Sequence, residues 1–407
     1  MSSTRMTILD IAEVLMGQSP PGSDCNSEGR GMPLLNGPTE FGFRYPNPVQ
    51  YTTNPKKIAR TGDLLFCVRG STVGRMNYTD QQVAIGRGLA SFRSKYSTKH
   101  TRLIEYLIYE SLESILQSAT GSTFPNVSKE QIYNWSWELP SLEKQLKIVD
   151  ILGSFDDKIA LNRRMNETLE QMAMTLYKHW FVDFGPFQDG EYMETVDGNI
   201  VPKDWAVKQL GEVVMINEKS LGRNYPYDKI EYIDISSVGT GVLDGTTNYP
   251  VKGAPSRAKR LVQAGDTIWS TVRPNRKSYL YIHKPAVNTV ASTGFVVLTP
   301  KAIPASYLYC HVTTNEFVDY LTSNADGSAY PAVRPDVFAR ATVYVPAKEV
   351  LKSFDEKVAP LISQMQENMI ENNELQRIRD FLLPRLLSGE IEVNAAEEHT
   401  KVVLSVG

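Results

Sequence analysis

The sequence is poor in cysteine. Three residues, Cys25, Cys67 and Cys310, stand among 407, with no Cys-x-x-Cys pair. That excludes a disulfide framework and argues against a structural zinc site. No run approaches roughly 18 consecutive apolar residues, so no membrane-spanning helix is expected. The segment from Met1 to Glu13 lacks the basic stretch and apolar run of a secretory signal, and the expected location is the cytoplasm. Gly (27) and Pro (23) are too few for a low-complexity chain, and the 42% hydrophobic and 22% charged content is that of a globular one.

Chemistry-bearing motifs are also scarce. No phosphate-binding loop of the form Gly-x-x-x-x-Gly-Lys-Ser/Thr occurs, and Gly239-Thr-Gly241-Val-Leu-Asp-Gly245 is one residue too long for a dinucleotide fingerprint. The Asp/Asn-Pro-Pro-aromatic run of amino-methyltransferases is missing. Asp156-Asp-Lys158 and Asp355-Glu-Lys357 look like fragments of nuclease motifs, but on helices such acid–lysine runs make a solvated face. The five histidines are scattered. Cys310 beside His311 is expected to be a helix core contact. Neither a catalytic nor a metal site is expected in this chain.

What is present is charge in two places. The net charge is −3, yet Thr52 to Arg102 carries ten Lys or Arg against Asp63 and Asp80, and Lys252 to Val287 carries eight against Asp266. Two basic segments in an otherwise acidic chain suit two polyanion footprints.

The chain is also duplicated. Gly121-Ser122-Thr123-Phe124-Pro125-Asn126-Val127 recurs as Gly327-Ser328-Ala329-Tyr330-Pro331-Ala332-Val333, and Leu139-Pro140 as Val345-Pro346, both at an offset of 206. Thr61-Gly62-Asp63 answers Ala264-Gly265-Asp266 at 203, and Ala12-Glu13-Val14 answers Gly211-Glu212-Val213 at 199. A repeat of this length is a whole domain plus an appended element. Each unit opens with short β-branched and aromatic runs that read as strands, followed by one helix, over Leu103 to Ala119 and Ser306 to Asn324.

Then the texture changes. From Ser154 to Phe184 there is no Pro, and the apolar positions Leu152, Phe155 and Ile159, the amides Asn162 and Asn166, and then Leu169, Ala173, Leu176 and Trp180 fall three and four apart. The second unit repeats the seam as Val358, Leu361, Met365, Asn368, Asn372, Leu375, Leu382 and Leu386, with Arg379 interrupting it. A buried amide must find another polar group, so the two helices are expected to pair as an antiparallel coiled coil with the four asparagines fixing register near mid-length. About 40 residues give a rod of roughly 60 Å. Pro360 and Pro384 should begin or kink the second helix.

The run Leu139-Pro-Ser-Leu-Glu-Lys-Gln-Leu-Lys-Ile-Val149, with Phe155-Asp-Asp-Lys-Ile159, Asn166-Glu-Thr-Leu-Glu170 and Trp180-Phe-Val-Asp-Phe-Gly-Pro-Phe187, resembles the central conserved region of type I restriction-modification specificity subunits. Val201-Pro-Lys-Asp-Trp205 with Leu210-Gly-Glu-Val213 is similar to the entry of that family's second target-recognition domain, and Leu382-Leu-Pro-Arg-Leu-Leu-Ser-Gly-Glu-Ile391 to its C-terminal conserved region. The second helix departs from the pattern in lacking a counterpart of the Gln145 motif.

The resemblance implies a non-catalytic subunit that reads a bipartite target in double-stranded DNA. It implies partners that do the chemistry: adenine methyltransferase subunits using S-adenosylmethionine, and an ATP-dependent restriction translocase using ATP and Mg. The expected fold is α+β, with two tandem mixed α/β recognition domains, each followed by a long helix. The expected division is residues 1–140 and 188–346 for recognition, 141–187 and 347–393 for spacer helices, and 394–407 for a tail. The candidate DNA contacts are Arg69, Arg75, Arg87, Arg93 and Lys95, and in the second unit Arg257, Arg273, Asn275, Arg276 and Lys277. Arginine can take guanine O6 and N7 bidentately, whereas Asn suits adenine. Gln145, Tyr177, Trp180, Phe181 and Phe184 are the expected docking residues for a modification subunit, with the aromatic four alternatively capping the helices. A stand-alone duplicated DNA-binding regulator or a coiled-coil scaffold would share some of these features.

Overall fold

The computed structural model describes residues 3–119, 125–195, 198–222, 224–327 and 330–405. Much of the repeated Gly-Ser motif, Gly121 to Phe124 together with Ser328 and Ala329, lies outside them. The chain forms two compact units, and they do not follow linear order. One comprises Met1–Lys158 with Leu375–Gly407, the other Ile159–Glu374. The boundary falls inside both long helices, Leu142–Phe181 and Lys348–Ser388.

In the first unit, strands Ala12–Met16, Leu89–Ser94, Leu64–Cys67 and Met76–Tyr78 form an antiparallel sheet in that spatial order. A mixed sheet runs Cys25–Asn26, Gln50–Thr52, Met32–Leu35, Val83–Ile85 and Ile58–Ala59, with Met32–Leu35 and Val83–Ile85 parallel. The run from Leu64 to Cys67 is apolar throughout because it is covered on both faces. Leu64 and Phe66 pack on helix residues Leu103, Ile104 and Leu107, while Leu65 and Cys67 pack on Leu35, Val83 and Ile85 of the second sheet.

The second unit repeats this order without a counterpart of the short edge strand Cys25–Asn26. Val214–Ile216, Phe295–Pro300, Thr267–Ser270 and Tyr279–Tyr281 form one sheet. Thr247–Pro250, Lys229–Ile233, Thr289–Ser292 and Ala258–Leu261 form the other, again with a parallel pair at its centre. In each unit the ends of the recognition domain are joined by two paired strands, Thr4–Thr7 with Ser136–Leu139 and Ala206–Gln209 with Thr342–Val345.

Several expectations need correction. The short helix Ile8–Ile11 matches Leu210–Val213, each preceded by an amide that donates to an acid three residues on: Thr7 N to Asp10 and Gln209 N to Glu212, both 2.7 Å. The offset here is therefore 202, and Ala12 answers Val214. The helix expected over Leu103 to Ala119 is two, Thr101–Glu110 and Leu112–Ser118, and that over Ser306 to Asn324 is Ala305–Thr313 and Asn315–Ser323. In the latter, Thr314 Oγ1 accepts from Phe317 N and starts the second helix. Lys348–Ser388 begins well before Pro360 and continues through both prolines. Each proline costs an intrahelical hydrogen bond, and buried Val358, Ile362, Leu383 and Leu386 beside them hold the helix in place. The residues beyond 393 are helical over Val393–Ser405.

The helix seam is antiparallel. In the second unit Phe181 meets Phe354, with ring centroids 4.8 Å apart. Asn368 Nδ2 donates to Asn166 Oδ1 at 2.8 Å, and Asn162 Nδ2 donates to Asn372 Oδ1 at 3.0 Å. The amides are completed by Glu371, which accepts from Asn162, by the Met365 carbonyl, which accepts from Asn166, and by Gln364, which donates to Asn368. In the first unit Arg379, the residue that interrupts the seam, reaches Asp156 at 2.6 Å. Asp156 also accepts from the Tyr106 hydroxyl, and Asp157 binds Arg44 and Arg102. The pair of acids that resembled a nuclease fragment is thus committed to ion pairs.

The duplication is unequal at one buried acid. Asp63 accepts both Arg93 Nε at 2.7 Å and Nη2 at 2.8 Å. Strand register places Thr299 where the first unit has Arg93. Asp266, the counterpart of Asp63, keeps the matching turn bond from Gln263 N at 2.9 Å, but its Oδ1 is buried with no partner among the described residues. Burial raises its pKa to about 6, against the lowering effects of neighbouring Thr299 and of the hydrogen bond from Gln263 N.

Two outcomes are expected. Asn368→Leu strands the Asn166 carbonyl oxygen and should destabilise the seam by about 1–3 kcal/mol, whereas Asn166→Leu with Asn368→Leu should regain that loss, read by helical circular dichroism in urea. The folded pKa of Asp266 lies above its unfolded value, so its stabilising contribution is present at low pH and lost as pH rises through about 6. Asp266→Asn should therefore raise the melting temperature near pH 7.5 and give a smaller gain near pH 5; an equal gain at both would refute the assignment.

Candidate nucleic-acid interface

In each unit a single strand-end residue ties three loops together. In the first, Val68 N donates to Gly88 O and Val68 O accepts from Val127 N, both at 2.9 Å, while Gly70 N donates to Pro125 O at 3.0 Å. In the second, Thr271 N donates to Gly294 O and Thr271 O accepts from Val333 N, both at 2.8 Å, while Arg273 N donates to Pro331 O at 2.7 Å. Because these bonds repeat one for one, the hairpin loop, the turn before the long central strand and the end of the repeated Pro motif meet in the same way in both units.

The first joint carries exposed Arg69, Arg75 and Arg87. Their guanidinium groups make no hydrogen bond or ion pair among the described residues, which leaves five donors each for a polyanion. The neighbouring glycines serve two purposes. Gly70 (φ 86°) and Gly74 (φ 94°) are left-handed. Gly86 and Gly88 instead permit close approach, since a Cβ there would meet Asn36 Oδ1 at 2.1 Å and Asn36 O at 2.3 Å.

The second joint carries Arg273, exposed Asn275 and Arg276, and Lys277, whose Nζ donates to Asn315 Oδ1 at 2.8 Å. Arg257 is exposed beside them, its carbonyl accepting from Thr293 N at 2.8 Å. The guanidinium of Arg273 lies 4.5 Å from the ring centroid of Tyr330. Tyr330 belongs to the repeated Gly-Ser-x-aromatic-Pro motif, and that repetition was the signal that could have placed it among the candidate residues.

Two candidates lie elsewhere. Arg93 is committed to Asp63, and Lys95 donates to the Leu9 carbonyl. Both stand at the far end of strand Leu89–Ser94 from Gly88, roughly 20 Å away at the rise of a strand. The alternating pattern of Arg and Gly could not separate the two ends.

The expected docking patch is largely interior. Gln145 is 2% exposed; its Nε2 donates to Pro140 O at 2.7 Å and its Oε1 lies 2.9 Å from His100 Nε2, so it braces the helix entry. Burial lowers the His100 pKa, opposed by the Gln145 bond. Tyr177 and Phe181 are buried in the second unit's core against Tyr307 and Phe354, and Trp180 and Phe184 pack half-buried on Phe354 and Trp205. Tyr177 and Phe181 are thus core residues, while Trp180 and Phe184 keep part of their surface exposed. Cys310 is likewise a core residue, and half-buried His311 stacks on Tyr307. Among the described residues no cluster of three or more potential metal ligands occurs, and no helix is long and apolar enough to cross a membrane.

A model of the type I restriction modification DNA specificity domain matches residues 3–171 and again 202–380. The chain is 27% identical to the HindI type I restriction enzyme specificity subunit of Haemophilus influenzae, over 83% of this chain and 88% of that protein. It is 27% identical to the MjaIX specificity subunit of Methanocaldococcus jannaschii, over 71% and 69%. The crystal structure of a type I S subunit from M. genitalium shares the fold, with a TM-score of 0.54 at 18% identity over 95% of this chain and 96% of that one. With two copies of the domain matched over most of its length, each containing the same three-loop joint, the chain belongs to the type I restriction-modification DNA specificity family.

Proposed function

We propose that this protein is the sequence-reading subunit of a cytoplasmic type I restriction-modification complex. Each recognition domain reads one half of a bipartite DNA target, and the paired helices set the number of unread base pairs between the halves. The observation that carries this reading is the duplicated joint, which offers a separate set of arginines in each unit on a common scaffold. The joint holds donors for base edges and phosphates. Methyl transfer from S-adenosylmethionine and ATP-driven translocation with Mg belong to partner subunits, which the chain recruits.

Two experiments test it. Exchanging residues 1–140 for those of a relative, in cells that also express the methyltransferase subunits, should alter one half of the methylated-adenine motif and preserve the other. A change in both halves, or in neither, would sink the two-reader account. Inserting one matched heptad into each helix beside the asparagine layer preserves their antiparallel pairing and adds about 10 Å, so the motif should gain roughly three unread base pairs with both halves intact. An unchanged gap would rule out the helices as the spacer.

A further inference from the structure

The two joints are superposable in hydrogen bonding yet differ in one residue that the backbone would rather not hold. Gly70 and Arg273 occupy the same position, each donating its N–H to the proline carbonyl of the repeated motif, and both have positive φ, 86° and 52°. Glycine adopts that conformation without strain; an L-residue with a Cβ does not. The first unit shows that glycine suffices for the joint. The arginine in the second unit is therefore not explained by the fold, and strain of this kind persists where a side chain has a task.

The side chain is set up for one. Arg273 begins a turn anchored by buried Pro274 and closed by Lys277, itself left-handed at φ 54°. Its guanidinium carbon lies over the ring of Tyr330, a residue that is itself 71% exposed. The ring covers one face of the guanidinium, and no hydrogen bond or ion pair among the described residues uses its N–H groups. A phosphate can take an arginine fork as well, but it accepts a cation from many directions, and exposed Arg276 beside Arg273 already offers one. A fork held against a ring and unspent matches two acceptors side by side, the O6 and N7 of guanine in the major groove.

Resting on the DNA-reading function proposed above, we propose that Arg273 is a specificity-determining residue. It reads a guanine in the half-site of the second recognition domain, and Tyr330 is its positioning residue. The first domain, with Gly70 at that place, lacks this reader.

The test uses the full chain co-expressed with its methyltransferase subunits, reading the methylated motif by sequencing and the affinity by competition with duplexes altered at single positions. Arg273→Lys keeps the charge and loses the fork. It should relax one G·C position of the second half-site, cutting discrimination there by roughly 10- to 100-fold, with the first half-site unchanged. Tyr330→Ala should relax the same position less, and Tyr330→Phe should retain it. Arg273→Gly should relax it too while keeping or raising the melting temperature, which separates lost reading from lost folding. The proposal is overturned if Arg273→Lys leaves the motif unchanged, if Arg273→Gly weakens all duplexes alike with a shallower salt dependence, or if the relaxed position is not a G·C pair. A wild-type complex that methylates no bipartite motif would instead refute the DNA-reading function itself.

Discussion

Asparagine amides buried in a helical seam must find each other, and this requirement sets the register on which both units depend. Once Asn162 meets Asn372 and Asn166 meets Asn368, the remaining partners follow: Phe181 lies against Phe354 in one unit and Asp156 against Arg379 in the other. A leucine seam would be stickier but would tolerate a slip by one heptad. Here a slip would bury several amides without partners and part Asp156 from Arg379, so one register is favoured over its neighbours. Because the unit boundary runs through both helices, each core borrows helix residues from two distant parts of the chain.

The duplication shows which features the scaffold requires and which are local. Strand order, the central parallel pair, the two strands closing each recognition domain and the three-loop joint occur twice. The Arg93–Asp63 pair does not, nor does a glycine at the left-handed position of the joint. Both departures place an electrostatic or conformational cost in the second unit, at Asp266 and at Arg273. Only the second is accompanied by an unspent donor group beside an exposed aromatic ring.

Periodicity made the long helices and their asparagines legible, since an amphipathic repeat is written in consecutive residues. The repeat made the two-unit architecture legible. What could not be read was which end of a strand faces which neighbour. Arg93 and Lys95 stand only a few residues from Arg87, yet a strand carries them to its other end. Gln145 and Tyr177 sit in a motif-bearing segment, but the motif does not say which of its residues face the chain's own core; contacts with His100 and Phe354 place these two there. Arg273 was visible as a cation and invisible as a strained one, because φ is a property of the fold rather than of the letter.

Val68 and Thr271 each donate one backbone hydrogen bond and accept another, binding three loops at a single residue. A residue inserted at that joint would shift all three loops together, whereas a side chain replaced on any of them leaves the others where they are. The joint thus restricts how recognition can change over time: loop lengths near it are held, side chains are free to vary, and new target sequences are more readily reached by substitution than by insertion.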